Sequence, residues 1–315
     1  MVLITFGEGL IRVTPSQGGL AAHVGGAELN VAVAAARLGV PSRWVSRLPD
    51  NAAGRFVESV ARINGVDPRV EWAADGRLGL YYLEQGSAPR QSSVVYDRAG
   101  SSFTKTAPGT IMWRELLRDA RWFHTSGITP ALSESCATVT AEAMKAARDA
   151  GLTVSYDVNY RVKLWDAARA RSVQEPLLRY VDLLVVSEDD ARTVFNVHAV
   201  SPADIARSLR DRFGIDAVAI TVRDSVDGLG AIVSAGDSTF SAPRCEVDVV
   251  ERVGTGDSFT AGLIASRLGG RGWDDAVRFA TAMAALKLTM PGDFFVGDRA
   301  MVETMLEGTH ARPAR

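Results

Sequence analysis

Short apolar runs rich in β-branched residues alternate with longer amphipathic stretches along most of this chain, and that rhythm leaves few folds open. "VLITFG" near the start reads as a strand, "AELNVAVAAARLG" as a helix closed by Gly39, and "SRWVSRL" as a second strand. "DNAAGRFVESVARING" is predicted to be a helix with Phe56, Val60 and Ile63 on one face and Gly65 at its end. Further strands are expected at "RWFHTSG", "TVSYDVN", "DLLVVS" and "AVAITV". Helices are expected at "SESCATVTAEAMKAARDAG", "ARSVQEPLLRYV", "SPADIARSLRDRFG" and over about 257–268 and 274–289. Strands separated by helices predict an α/β fold with a mostly parallel sheet covered on both faces.

One segment breaks the rhythm. Residues 78–104, "LGLYYLEQGSAPRQSSVVYDRAGSSFT", hold two strand-like runs around a Gly/Pro turn with no helix between them. Such a small sheet needs a cover on one face, so it is expected to lie over a site, to meet a second copy, or both. The 315 residues are 47% hydrophobic and 23% charged, with a formal net charge of −2. That balance gives no reason to expect nucleic acid or an anionic membrane as partner. Two cysteines, Cys136 and Cys245, are too few for a disulfide framework and fit a reducing cytoplasm. The first residues lack a basic leader, and no apolar run is long enough to cross a bilayer. Four scattered histidines carry no metal-ligand spacing.

The stretch with the most chemistry is "VERVGTGDSFTAG", 250–262. Gly254 and Gly256 precede a helical pattern carried by Phe259, Leu263, Ile264 and Leu268. A glycine turn feeding a helix start offers free N–H groups and the positive end of a dipole to an anion. Asp257 beside it can take a proton from a hydroxyl, or can simply cap the helix. The spacing fits neither the dinucleotide fingerprint nor a P-loop. "GGAELN" places Gly25, Gly26 and Asn30 at another helix start, where backbone can approach a ligand and Asn30 can bond hydroxyls.

Together, the early G-G-x-x-x-N, the β insertion and the late G-x-G-D resemble the ribokinase-like (PfkB) sugar kinases over about residues 2–305. The resemblance implies a ribokinase-like three-layer sandwich spanning 1–309. Its β lid would comprise mainly 78–104 plus about 11–24, and 310–315 would be a frayed tail. It implies Asp257 as catalytic base and Gly254, Thr255 and Gly256 as the anion hole for the γ-phosphate. ATP and Mg²⁺ are the implied cofactors, with a monovalent cation as an optional third, and a homodimer or higher oligomer through the lid is the implied assembly. The Y-x-R and D-x-N-Y-R segments are similar to those of 2-keto-3-deoxygluconate kinases within the family. By that likeness Tyr82, Tyr96, Arg98, Asp157, Asn159 and Arg161 meet an acid sugar, above Gly25, Gly26 and Asn30.

Three departures from the family pattern stand out. Glu251 replaces the usual aspartate, Thr255 an alanine, and Ser187 the asparagine of the segment that organises Mg²⁺. Asp190 keeps a carboxylate there, although "SEDD" is equally a plain capped helix start. Ser187, Arg223, Gly228, Gly254 and Gly256 are the expected nucleotide contacts, with Arg223 standing in for a lysine. The reading that follows is ATP-dependent phosphorylation of the terminal hydroxyl of 2-keto-3-deoxygluconate. The alternatives are the galactonate epimer, ribose or fructose as substrate, or a sugar-acid sensor that has lost transfer.

Overall fold

The computed structural model describes residues 2–16, 18–86, 89–223 and 228–308. The elements run β1 (Val2–Phe6), β2 (Leu10–Ser16), β3 (Gly19–Gly25), α1 (Ala27–Arg37), β4 (Ser42–Pro49), α2 (Ala52–Ile63) and β5 (Val66–Ala73). Then come β6 (Gly79–Glu84), β7 (Ser93–Asp97), α3 (Trp113–Leu116), β8 (Ala120–Ser126), α4 (Ile128–Ala131), α5 (Glu134–Asp149) and β9 (Thr153–Asp157). The remainder is α6 (Ala167–Gln174), β10 (Leu183–Ser187), α7 (Glu188–Phe195), α8 (Pro202–Phe213), β11 (Ala217–Arg223), β12 (Gly228–Ala235), β13 (Ser238–Ser241), β14 (Cys245–Glu246), α9 (Thr255–Leu268), α10 (Trp273–Leu288) and α11 (Arg299–Leu306).

The main sheet runs β13-β12-β11-β10-β9-β8-β1-β4-β5, with β14 also on β12. From β11 to β5 every neighbouring pair is parallel, and β12 and β13 add an antiparallel edge. Helices cover both faces, with one apolar core beneath α5 to α8 and another beneath α1, α9 and α10. This is the ribokinase-like sandwich. A second sheet, β3-β2-β6-β7, stands apart; β2 pairs in parallel with β6, and the other two pairs are antiparallel.

Local physics explains most boundaries. Asn51, Ser133, Ser201 and Asp298 each accept a backbone N–H at a helix start. Gly39 (φ 81°) and Gly65 (φ 82°) take the left-handed conformation just past α1 and α2. Pro176 turns the expected helix at 170–181 into α6 followed by a 3₁₀ stretch, Glu175–Tyr180. The face assigned to α2 is corrected in part: Phe56 and Ile63 are exposed, Val60 is half-buried against the core, and Val57 and Ala61 are fully buried.

Candidate active site

Parallel strands end along one edge, where α/β sheets bind ligands. Asp157 closes β9 and Ser187 closes β10 at that edge, and α1 packs against α9 so that both helix starts meet there. Asn30, buried in the first turn of α1, donates from Nδ2 to Asp257 Oδ2 at 2.6 Å. Its Oδ1 is buried without a hydrogen-bond partner among the described residues.

The start of α9 is built on Gly254 (φ 76°), where an added Cβ would lie 2.1 Å from the carbonyl oxygen of Asp293. Glycine is therefore obligatory there. The helix has no side-chain cap. Thr255 turns its hydroxyl back to the Arg252 carbonyl (2.8 Å), so it adds no obstruction to the turn, and Ser258 Oγ donates to the Gly254 carbonyl (2.8 Å). Among the described residues the N–H groups of Gly256 and Asp257 reach no backbone acceptor. A Cβ at Gly256 would meet nothing within 4 Å. Packing thus explains Gly254 but not Gly256, whose bare side faces open space. Asp257 lies inside the first turn and spends its carboxylate on Asn30 rather than on capping.

Three half-buried carboxyls share the edge. Desolvation pushes Asp257 up to about 7, reinforced by Glu28 and Asp293 and opposed by the Asn30 hydrogen bond and by Arg161. Asp157 rises to about 8 through burial and the nearby charges of Asp257 and Asp190, while Asp190 is raised mainly by burial. Arg161, exposed on the segment after β9, opposes all three shifts. Asn159 (φ 40°) donates its N–H to Asp157 Oδ1 at 3.1 Å and forms the turn that presents Arg161. Clefts lined by Arg114, Arg118 and Leu152, and by Asp182, Asp216 and Trp273, lie at the opposite edge of the sheet and contain none of these groups.

A family model described as pfkB family carbohydrate kinase matches residues 6–295. This chain belongs to the pfkB family. A 2-dehydro-3-deoxygalactonokinase of Haloferax volcanii is 40% identical over 98% of both chains. The crystal structure of 2-dehydro-3-deoxygluconokinase from Thermotoga maritima superposes with a TM-score of 0.95 at 34% identity over 98% of each chain. Aminoimidazole riboside kinase from Salmonella enterica, solved with aminoimidazole riboside and an ATP analogue, gives 0.81 at 26% identity, covering 97% of this chain and 100% of that one. The protein is a sugar kinase.

In this kinase the inner face of the small sheet carries Arg12, His23, Tyr81, Tyr96 and Arg98, as the register Arg12↔His23, Arg12↔Tyr81 and Tyr81↔Tyr96 requires. Tyr82 is corrected from a site residue to the opposite face, where it pairs with Val95 and is 43% exposed. Successive side chains on a strand alternate faces, and the inward tyrosine is Tyr81, which donates to Asp293 Oδ1 at 2.8 Å. Arg98 is buried, with its Nε on Glu8 Oε2 at 2.7 Å and Ser101 also on Glu8. Arg90 is paired with Glu84 on the exposed hairpin, and Lys163 donates to the Val94 carbonyl of β7.

Gly25 and Gly26 have packing reasons, since added Cβ atoms would sit 2.3 Å from Asp293 Oδ1 and 2.1 Å from the Glu8 carbonyl oxygen. Ser187 caps α7 by accepting the Asp190 N–H at 3.0 Å, and Asp190 Oδ2 accepts from the Tyr160 N–H at 3.3 Å. Arg223 closes β11 and Gly228 opens β12; their side chains and residues 310–315 lie outside the described residues.

Sequence reasoning missed the charges beneath the site. Arg12, 1% exposed, is ion-paired with Glu251 and with Asp293 (Nε–Oδ2 2.9 Å). Glu251 also accepts the Gly292 N–H at 2.8 Å, which accounts for its extra reach over an aspartate. Glu28, equally buried, accepts from the Ser126 N–H and hydroxyl and from Thr129. The sequence signal for Lys287 is a charge after the uncharged run Phe279–Leu286, in a helix whose other charges, Asp274, Asp275 and Arg278, lie in its first two turns.

Proposed function

We propose that this kinase transfers the γ-phosphoryl group of ATP to the terminal hydroxyl of a 2-keto-3-deoxyhexonic acid. The observation that carries the reading is Asp257: a carboxylate held by Asn30, raised toward neutrality, and seated among unbonded N–H groups with open space at Gly256. Asp257 accepts the hydroxyl proton as the oxygen attacks. The N–H groups of Gly256 and Asp257 meet charge on the transferring group, the electrostatic work that phosphoryl transfer leaves to a protein. The unpartnered Asn30 Oδ1 accepts a hydrogen bond from the sugar. Arg161 receives the carboxylate, joined by the remaining N–H groups of Arg98, with Tyr96 beside them on the inner face. A planar guanidinium matches a carboxylate, whereas a neutral sugar needs none.

Mg²⁺ fits the hard oxygen donors of Asp190 and Asp157. Among the described residues no three or more His, Cys, Asp or Glu side chains form a ready cage, in keeping with an ion held by one or two carboxylates, water and phosphate oxygens. It supplies charge neutralisation on the phosphates when bound. The three departures leave the site open: Thr255, Ser187 and Glu251 each bond away from the space at Gly256. The outer face of the small sheet, with Leu20, Tyr82 and Val95 exposed, is the surface through which two copies associate in this reading.

The test is ADP release with Mg-ATP against 2-keto-3-deoxygluconate, 2-keto-3-deoxygalactonate, ribose and fructose. Turnover confined to the keto-deoxy acids is expected, and the ratio between the first two fixes the epimer. Faster turnover of ribose or fructose overturns the acid-sugar assignment.

A further inference from the structure

The last turn of α10 props the loop that carries the anion hole. The N–H groups of Val250 and Glu251 both donate to the Leu288 carbonyl, at 2.8 and 3.1 Å. Gly292 binds Glu251, and the Asp293 carbonyl lies against Gly254. Lys287 sits under this arrangement, fully buried, with Nζ donating to the Met290 carbonyl at 3.0 Å. A Cβ on Gly254 would lie 3.3 Å from Lys287 Cε. An ammonium inside a protein is costly, and an apolar side chain of similar volume is usually no less stable there.

We propose that Lys287 is a positioning residue for phosphoryl transfer: its ammonium holds the 288–293 turn against Gly254 and sets positive charge behind the N–H groups that receive the phosphoryl. The charges around it come from each packed element. Asp257 on α9 and Asp293 in the 289–298 loop attract it, and Arg12 on β2 repels it. Glu251, Tyr81 and His23 join the cluster through Arg12 and Asp293. Burial, with Arg12, brings the Lys287 ammonium down to about 8, so it sheds its proton within the working range of an assay.

The inference rests on transfer at the start of α9, and Asp257→Asn separates the two ideas. If Asp257→Asn keeps wild-type turnover, the transfer reading fails first. If Asp257→Asn is inactive, the wild-type kcat profile is expected to show an alkaline limb near pH 8. Lys287→Met is expected to unfold no earlier than wild type, to lose roughly 10-fold or more in kcat, and to change the sugar KM by less than about threefold. Its profile loses the alkaline limb. Its acid limb moves to higher pH, because Asp257 has lost a neighbouring cation. Ammonium ion is expected to restore activity to Lys287→Ala, which has room for it, more than to Lys287→Met. A wild-type profile flat from pH 7.5 to 9 overturns the proposal, as does a folded Lys287→Met with unchanged kcat or unmoved limbs.

Discussion

Helices α7 and α9 both start at the same edge of the sheet with acids in their first turns, yet they begin in opposite ways. At α7 the Ser187 hydroxyl accepts the Asp190 N–H and closes the helix end. At α9 the cap is Gly254, no side chain closes the end, and the N–H groups of Gly256 and Asp257 reach no backbone acceptor among the described residues. A missing cap forgoes about 1 kcal/mol of helix stability. In the proposed reading, the protein keeps the first helix end for itself and leaves the second for the phosphoryl group.

The largest effect expected from breaking this contrast is at Asp257. Asp257→Asn lowers kcat by about 100-fold or more, the scale of a lost general base, with sugar binding retained in calorimetry. The same variant gains stability in alkali. A carboxyl raised to about 7 contributes its stabilisation only below its unfolded value near 4, and loses it as pH rises through 7. The melting temperature of Asp257→Asn is therefore expected to exceed that of wild type at pH 8, with the margin closing by pH 4. Equal melting curves at pH 8 contradict the desolvated carboxyl.

Gly256→Ala comes next. Its Cβ meets no protein atom, so the fold stands and the helix gains up to about 1 kcal/mol. The methyl instead occupies the space assigned to phosphate, and kcat/KM for ATP is expected to fall by roughly 10-fold, an assay separable from melting. Arg161→Ala follows, raising KM for acid sugars about 10-fold, the value of one charge-assisted contact, and leaving neutral sugars unchanged. Ser187→Ala is the smallest for catalysis. It costs about 1 kcal/mol in denaturant unfolding and changes kcat by less than about threefold. A large kcat loss there would erase the distinction between the two helix starts.

Much of this was legible in the chain. Periodicity located most of the parallel strands and the start of α9, because burial on both faces of a sheet leaves dense apolar runs. The mixed composition of β5, with its Pro68, and the short, polar β13 and β14 hid the sheet edges, and the glycines of β12 weakened its apolar pattern. Tyr81 and Tyr82 were indistinguishable until pairing fixed which face each occupies. Arg12, Lys287 and Asp293 belong to no local motif; only the meeting of β2, α10 and the 289–298 loop makes them a cluster.

That cluster bears on how the sugar preference of this kinase is to be re-engineered. The inner face of the small sheet comes from two continuous segments, 10–25 and 79–98, so a relative's segments can be exchanged as a pair of cassettes. Arg12 travels with the first cassette, while Glu251 and Asp293 stay behind in the scaffold. A donor segment without an arginine at that position strands two carboxylates in the interior, and the chimera fails by misfolding before its specificity is ever measured. The unit of exchange is thus two segments and two distant acids, moved together.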